Sequence, residues 1–182
     1  QSAHHFLFAA IPVESWNDAL SPWKSPAVWG KQGFGGKAGD TLRFLTEQVI
    51  PTLEQRFHLP ENVKIILGGY SLAGLFALYS IYQTDVFSRV GSMSGSLWFP
   101  GMKEYIFSHE PKRRPDHMYF SLGDKESKTR NTVLQSVQQN TEEIHAFYQS
   151  RDIDTVLQMN PGNHYNHAAE RTAAGIAWML NR

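Results

Sequence analysis

A serine surrounded by small residues stands in the segment 68–74, where the sequence reads GGYSLAG. Gly69 precedes Ser71 by two positions, and Ala73 and Gly74 follow it closely. This arrangement approximates the Gly-x-Ser-x-Gly nucleophile elbow, in which small neighbours let a strand and a helix approach around a strained serine. Alanine at the second flank is a mild departure from that pattern. The motif predicts covalent catalysis, with the Ser71 hydroxyl attacking an acyl carbon.

The competing interpretation of this motif is a glycine-rich turn whose serine only caps a helix. The segments on either side of the motif favour catalysis over that alternative. Residues 63–67 (VKIIL) are typical of a strand and residues 71–83 of a helix. Together they form the strand-turn-helix context that a nucleophile elbow requires.

A serine nucleophile needs a base within hydrogen-bond reach, and after an elbow of this kind the chain order is serine, acid, histidine. His164 and His167 both come late enough, in the segment 160–167 (NPGNHYNH). His167 lies nearer the final predicted helix, whose dipole disfavours an imidazolium at its start. We therefore predict that His164, in the preceding loop, is the base. The other histidines are expected to be exposed or packed: His4, His5, His58, His109, His117 and His145.

The carboxylate that orients this base is expected directly after the predicted strand at residues 117–122. Asp124 and Glu126 both lie there, in the sequence GDKE. Either carboxylate could instead be a solvated loop charge or a cap for the following helix. Spacing alone leaves the choice between the two open.

Short apolar runs alternate with longer amphipathic stretches along the chain, and these are the elements that must position the site. Predicted strands lie at residues 5–11, 63–67, 90–94, 117–122 and 155–159. Predicted helices lie at residues 40–57 (with Asp40 as N-cap), 71–83, 129–150 and 168–180. Such alternation implies parallel strands joined by right-handed crossovers. We predict one three-layer α/β/α domain over residues 1–182, with a mostly parallel sheet and a long loop at residues 12–39.

Composition excludes several classes of protein. Seventeen basic and seventeen acidic residues balance, so the basic excess typical of nucleic-acid binders is missing. The apolar stretches are shorter than the roughly 20 residues that span a bilayer. The absence of cysteine excludes disulfides, thiolate metal sites and cysteine nucleophiles, but leaves the cytoplasm, the periplasm and secretion all open. Since the chain starts at Gln1, we expect either a removed leader or a missing upstream segment.

Several segments spread over nearly the whole chain resemble one family. They are residues 16–18 (WND) with 20–23 (LSPW), 69–74 (GYSLAG), 94–98 (SGSLW), 121–126 (SLGDKE) and 162–164 (GNH). In this combination the chain resembles the esterase-D and enterochelin-esterase-like branch of the α/β-hydrolases. Relatives of that type include siderophore esterases, feruloyl and acetyl-xylan esterases, formylglutathione hydrolase and mycolyl transferases.

The resemblance implies hydrolysis of a small-molecule carboxylic ester through an acyl-enzyme, with no metal or cofactor. It also implies Glu126 as the acid in preference to Asp124, and His164 as the base. The N–H of Leu72, the residue after the nucleophile, is the first oxyanion donor. Relatives draw a second donor from the loop after an earlier strand, whereas this chain is expected to begin at the next strand. The second donor therefore has no assigned residue, and its source is open between the loop at residues 16–23, an absent N-terminal segment and no donor at all. The N-terminal strands of the fold are expected to be missing.

Aromatic residues in the predicted loops are candidates for the substrate pocket. Trp16, Trp23 and Trp98 are assigned to it together with Tyr70, although packing of each tryptophan against the domain is the competing interpretation. Trp98 is the strongest candidate of these, because the loop that carries it should lie beside the elbow. The basic run at residues 112–114 is interpreted as a solvated loop.

Three functions fit these patterns. The first is ester hydrolysis, and the second is acyl transfer from the same acyl-enzyme to an acceptor other than water. The third is a non-catalytic binding domain, because a fold does not by itself imply a function. The elbow in its strand-turn-helix context favours the first, and the oligomeric state stays open.

Overall fold

The computed structural model describes residues 5–182, so His4 lies outside the described residues. The strands are β1 (Lys24–Ser25), β2 (Phe34–Gly35), β3 (Ile65–Tyr70), β4 (Phe87–Met93), β5 (His117–Gly123) and β6 (Asp154–Asn160). The helices are α1 (Trp16–Ala19), α2 (Ala38–Phe44), α3 (Ile50–Phe57), α4 (Leu72–Ser80), α5 (Met102–Ser108), α6 (Thr132–Gln135), α7 (Val137–Gln149) and α8 (Ala168–Leu180). A π-helical turn, Leu45–Val49, joins α2 to α3.

A four-stranded parallel sheet in the order β3-β4-β5-β6 forms the middle layer. Helices α4 and α7 pack against one face, and α8 packs against the other. Residues of β5 alternate between the two faces: Met118 and Phe120 join the main core, whereas Tyr119 packs with Met179 and Trp178 of α8. The predicted three-layer α/β/α architecture with a parallel sheet is confirmed.

The predicted strand at residues 5–11 is wrong. The segment has no strand structure, and the side chains of Phe6 and Phe8 are 61% and 63% exposed. Among residues 5–182, no strand pairs with this segment, and β3 pairs only with β4. An apolar run becomes a buried strand only where a sheet edge accepts its backbone hydrogen bonds, and that pairing is not local.

The predicted helix at residues 40–57 starts earlier and is not regular. It begins at Ala38 with Lys37 as N-cap, so the prediction of Asp40 as N-cap is wrong and Asp40 lies in the first turn. The π-helical turn ends at Val49, two residues before Pro51, which has no N–H to donate. A wider turn at that point accommodates the missing hydrogen bond without ending the helix.

The predicted helix at residues 129–150 is broken at Ser136 into α6 and α7. The Asn131 side chain caps α6 by accepting hydrogen bonds from the N–H groups of Val133 and Leu134. The final predicted helix, by contrast, coincides with α8. No helix within residues 5–182 is both long and apolar enough to cross a membrane.

Candidate active site

Ser71 lies at the sharp turn between β3 and α4, with φ 59° and ψ −123°. This conformation is sparsely populated by residues other than glycine and must be held by its surroundings. The Ser71 N–H donates to the Met93 carbonyl at 3.0 Å, and the Ser71 carbonyl accepts from the N–H groups of Gly74 and Ser96, each at 3.0 Å. These bonds tie the turn both to the end of β4 and to the loop that follows it.

Close approach of β3 and α4 explains the small residues around the serine. A Cβ at Gly69 would lie 2.5 Å from the Ala73 Cβ and 2.6 Å from the Ala73 carbonyl carbon, which is closer than real contacts allow. Glycine is therefore required at position 69 by its distance to the helix. Alanine fits at position 73 because Gly69, which faces it across the turn, has no side chain.

Ser71, His164 and Glu126 meet at the carboxyl ends of the parallel strands. The Ser71 Oγ lies 3.0 Å from Nε2 of His164, and Nδ1 of His164 lies 2.7 Å from Oε2 of Glu126. His164 is placed by the loop between β6 and α8, and Glu126 by the loop after β5. In this arrangement the two nitrogens of one imidazole face a hydroxyl on one side and a carboxylate on the other.

His167, the other candidate base, lies apart from this group. It is the N-cap residue of α8 with φ 56°, and its side chain is largely exposed. Its Nδ1 is 3.7 Å from a carboxylate oxygen of Glu170. The structure therefore places His164, and not His167, beside the serine.

The carboxylate of Glu126 is 3% exposed, and three donors converge on its Oε1. They are the Gly123 N–H at 2.7 Å, the Ser94 hydroxyl at 2.8 Å and Nη1 of Arg171 at 3.0 Å. Burial is the largest influence on this group and opposes its ionisation. Hydrogen bonds from His164, Gly123 and Ser94 together outweigh burial and hold the pKa of Glu126 below its ordinary value.

Asp124 has a different set of contacts. Its Oδ1 accepts a hydrogen bond from the Gly162 N–H at 2.8 Å, and its own N–H donates to the Asn160 carbonyl at 2.8 Å. The neighbouring Lys125 N–H donates to the Gly162 carbonyl at 3.1 Å. Asp124 thus secures the start of the loop that carries His164, while Glu126 contacts the imidazole itself.

Four further side chains contact the group of Ser71, His164 and Glu126 and were not assigned these contacts from the sequence. The Tyr70 hydroxyl donates to the His164 backbone carbonyl at 2.8 Å, and Arg171 donates to both Tyr70 and Ser94. The Ser96 hydroxyl lies 3.4 Å from the Ser71 Oγ. Ser94 and Ser96 belong to the SGSLW segment, whereas nothing in the pattern of the last helix marked Arg171.

The Leu72 N–H, predicted as an oxyanion donor, lies in the first turn of α4. As the first N–H of the helix, it has no acceptor within α4 and can therefore face an anion. Among residues 5–182, no cluster of three or more His, Asp or Glu side chains is placed to hold a metal ion. A second donor to an oxyanion stays unassigned.

The predicted substrate-contact residues occupy different environments. Trp98 is only 7% exposed and packs against Trp29 and Phe34. Trp23 packs against aromatic rings of α4 and α5, and its Nε1 donates to the Pro100 carbonyl at 3.0 Å. Trp16 starts α1 and is partly exposed. Their contact with a substrate, like that of Tyr70, stays a prediction.

Residues 10–170 match the model of a protein family described as "Putative esterase". Among curated proteins, the chain is 22% identical over 192 residues to the uncharacterised protein YbbA of Bacillus subtilis (strain 168). That alignment covers 100% of this chain and 76% of YbbA.

Two solved structures share the fold. The siderophore hydrolase EstA from Aspergillus nidulans superposes with a TM-score of 0.71 at 20% identity, covering 91% of this chain and 66% of EstA. An IroE-like serine hydrolase from Shewanella oneidensis superposes with a TM-score of 0.74 at 18% identity. The match covers 93% of this chain and 58% of the Shewanella chain. The chain thus spans less than two thirds of either protein. Structural likeness at such identities shows the α/β-hydrolase fold alone.

The family match covers most of the chain and supports the hydrolysis of esters. The chain therefore belongs to this esterase family.

Proposed function

We propose that this chain is a serine hydrolase that cleaves a carboxylic ester through an acyl-enzyme. The observation that carries the proposal is the Ser71 Oγ at 3.0 Å from Nε2 of His164, whose Nδ1 is 2.7 Å from Glu126. Nucleophile, base and orienting carboxylate then follow the order and geometry of a Ser-His-acid triad.

In the acylation step, His164 Nε2 accepts the Ser71 proton while the Ser71 oxygen bonds to the ester carbonyl carbon. Glu126 holds the Nδ1–H and stabilises the imidazolium that forms. The Leu72 N–H, in the first turn of α4, donates to the oxyanion of the tetrahedral intermediate. Collapse of that intermediate breaks the carbon–oxygen bond, and the alcohol leaves with the proton from His164.

In the deacylation step, His164 takes a proton from water, and the resulting hydroxide adds to the acyl carbon of the acyl-enzyme. Collapse releases the carboxylic acid and returns the proton from His164 to the Ser71 oxygen. Hydrolysis and acyl transfer differ only in this step, in which either water or an alcohol attacks the acyl-enzyme. Adding alcohols and identifying the products therefore separates hydrolysis from acyl transfer.

The substrate class follows from family and fold neighbours rather than from a defined pocket. One neighbour of the same fold is a siderophore hydrolase. For this chain we propose a small-molecule carboxylic ester, either of the siderophore type or a more general one. Trp16, Trp23, Trp98 and Tyr70 are the aromatic residues proposed to border that substrate.

Ser71→Ala tests the proposal directly. We expect it to lower kcat/KM for a short p-nitrophenyl ester by at least about 10³-fold, because the oxygen that bonds to the acyl carbon is removed. A fluorophosphonate probe should label the wild type, and peptide mass should place the label on Ser71.

Ser108→Ala is the matched control, since within residues 5–182 the hydroxyl of this exposed α5 serine bonds only to its own helix and to His109. It should keep wild-type turnover and labelling. A wild type that releases nitrophenol no faster than Ser71→Ala, and that takes up no probe, contradicts the proposal and favours a non-catalytic domain.

A further inference from the structure

A buried arginine lies behind the carboxylate of the proposed triad. The side chain of Arg171, in the first turns of α8, is 2% exposed. Its Nη1 lies 3.0 Å from Oε1 of Glu126 and 3.1 Å from the Ser94 hydroxyl, and its Nη2 donates to the Pro161 carbonyl at 3.0 Å. A fourth contact joins Nη1 to the Tyr70 hydroxyl at 3.3 Å.

These four partners come from the carboxyl ends of all four strands of the main sheet. Tyr70 is the last residue of β3, Ser94 follows β4, Glu126 lies in the turn after β5, and Pro161 follows β6. The Tyr70 hydroxyl in turn donates to the His164 carbonyl at 2.8 Å. One guanidinium therefore connects the elements that carry the nucleophile, the acid and the base.

We propose that Arg171 is a positioning residue that holds Glu126 and the His164 loop in the geometry needed for turnover. This inference rests on the proposed esterase function and assigns a role to a residue of α8 that does not touch the reacting atoms. Arg171 acts on Ser71 only through Glu126, Tyr70 and the loop between β6 and α8.

The charge of Arg171 matters because its partner is a buried carboxylate. A buried ion without an opposite charge or enough hydrogen bonds is strongly unfavourable. Without Arg171, Oε1 of Glu126 would keep two neutral donors and lose the only cation bound to it among the described residues. The carboxyl would then gain from turning away from the imidazole or from taking up a proton, and either change removes the orientation of His164.

The shape of the guanidinium matters as much as its charge. Nη1 and Nη2 point to different loops, with Nη1 on Glu126 and Nη2 on the Pro161 carbonyl. A lysine ammonium is a point charge and cannot reproduce this planar fork. The guanidinium also packs closely against Gly123. A Cβ added at that glycine would lie 3.0 Å from both Nη1 and Nη2.

A purely structural role for Arg171 would be to anchor α8 to the sheet. Another buried arginine already anchors the far end of that helix. Arg89 of β4 donates to the carbonyls of Met179 and Arg182. Since α8 has this second attachment, Arg89→Met serves as a control for loss of helix anchoring alone.

The test compares Arg171→Met, Arg171→Lys and Arg89→Met in the full chain, using p-nitrophenyl ester hydrolysis. We expect Arg171→Met to lower kcat by about 10- to 100-fold with KM changed less than about twofold, because a misplaced base slows the chemical step rather than binding. Arg171→Lys should recover part of that loss. Arg89→Met should lower the free energy of unfolding and leave kcat unchanged.

Proton NMR separates this inference from a failure of the proposed function. The proton shared by His164 Nδ1 and Glu126 gives a downfield resonance whether or not the chain turns over an ester. We expect this resonance in the wild type and in Arg89→Met, and its loss or shift in Arg171→Met. If the wild type hydrolyses no ester, the proposed function fails, and the resonance alone decides the role of Arg171.

A folded Arg171→Met variant that keeps the wild-type resonance, or whose kcat falls no further than that of Arg89→Met, overturns the positioning role. If Arg171→Met does not fold, Arg171→Lys takes its place in the comparison. Wild-type kcat and resonance in Arg171→Lys would then overturn the proposal, because the ammonium cannot bond Glu126 and Pro161 as the fork does.

Discussion

Two buried polar clusters lie toward opposite ends of the strands of the same sheet, and one is charged whereas the other is neutral. At the carboxyl ends of the strands, Glu126 is bound by Arg171 and Ser94. Toward the amino ends, the hydroxyls of Tyr82 and Tyr148 bond to each other at 2.6 Å within the main core. Both clusters are shielded from water, but only the first holds charged groups.

The difference comes from the number and kind of hydrogen-bond partners. Burial raises the pKa of Tyr82 to about 12 and raises the pKa of Tyr148 well above its ordinary value, so both hydroxyls stay neutral. At Glu126, burial acts in the same direction, but several donors outweigh it and the pKa is lowered. Desolvation alone therefore does not decide the charge of a buried group. The surroundings of Glu126 stabilise its charged form, whereas those of Tyr82 and Tyr148 favour the neutral hydroxyls.

Of the substitutions that alter either cluster, Glu126→Gln is expected to have the largest effect, and that effect is on catalysis. Removing the negative charge takes away stabilisation of the His164 imidazolium, so we expect kcat/KM to fall by about 10²- to 10⁴-fold in an ester assay. Asp124→Asn is the matched variant, because its remaining side-chain oxygen can still accept from the Gly162 N–H. It should lose less activity. The reverse ranking would reassign the acid to Asp124.

The neutral pair predicts a change in stability without a change in activity. Tyr148→Phe leaves the Tyr82 hydroxyl unpaired in the core, which should lower the free energy of unfolding by about 1–3 kcal/mol in chemical denaturation. The double variant Tyr82→Phe/Tyr148→Phe should be less destabilised than the sum of the two single variants. Loss of ester turnover in folded Tyr148→Phe would show that the two clusters are coupled.

The smallest effect expected is in the acid dependence of stability. Because the pKa of Glu126 is lower in the folded state than its ordinary value of about 4.3, its ionisation stabilises the fold above that pH. This contribution is lost as the pH falls through the folded-state pKa. Glu126→Gln should therefore show a weaker fall in the free energy of unfolding between about pH 5 and pH 2. An identical acid dependence in the two proteins would contradict the sign of the shift.

Much of the architecture could be predicted because its signals are local. The strand, turn and helix around Ser71 are contiguous in sequence, and the structure has them as β3, the turn at Ser71 and α4. The last helix was predicted with its bounds, since an amphipathic run with polar flanks needs only one neighbour to bury its apolar face. The exposed segment 5–11 shows where prediction from local signals fails. A strand needs a neighbouring strand to pair with, and the residues of the segment do not determine whether one lies beside it.

The sequence by itself determined the nucleophile candidate and the region of the base, because each depends on residues close together in the chain. It also predicted a parallel α/β sheet, because strands and helices alternate along the chain. Spacing alone left Glu126 and Asp124 open and only the family resemblance favoured Glu126, because the two carboxylates lie two positions apart in one loop. The tertiary structure shows what surrounds each of them and places Glu126 against His164. The same holds for Arg171, whose contacts exist because four strands from distant parts of the chain end side by side. Parallel pairing brings those ends together, and no local pattern records which helix will face them.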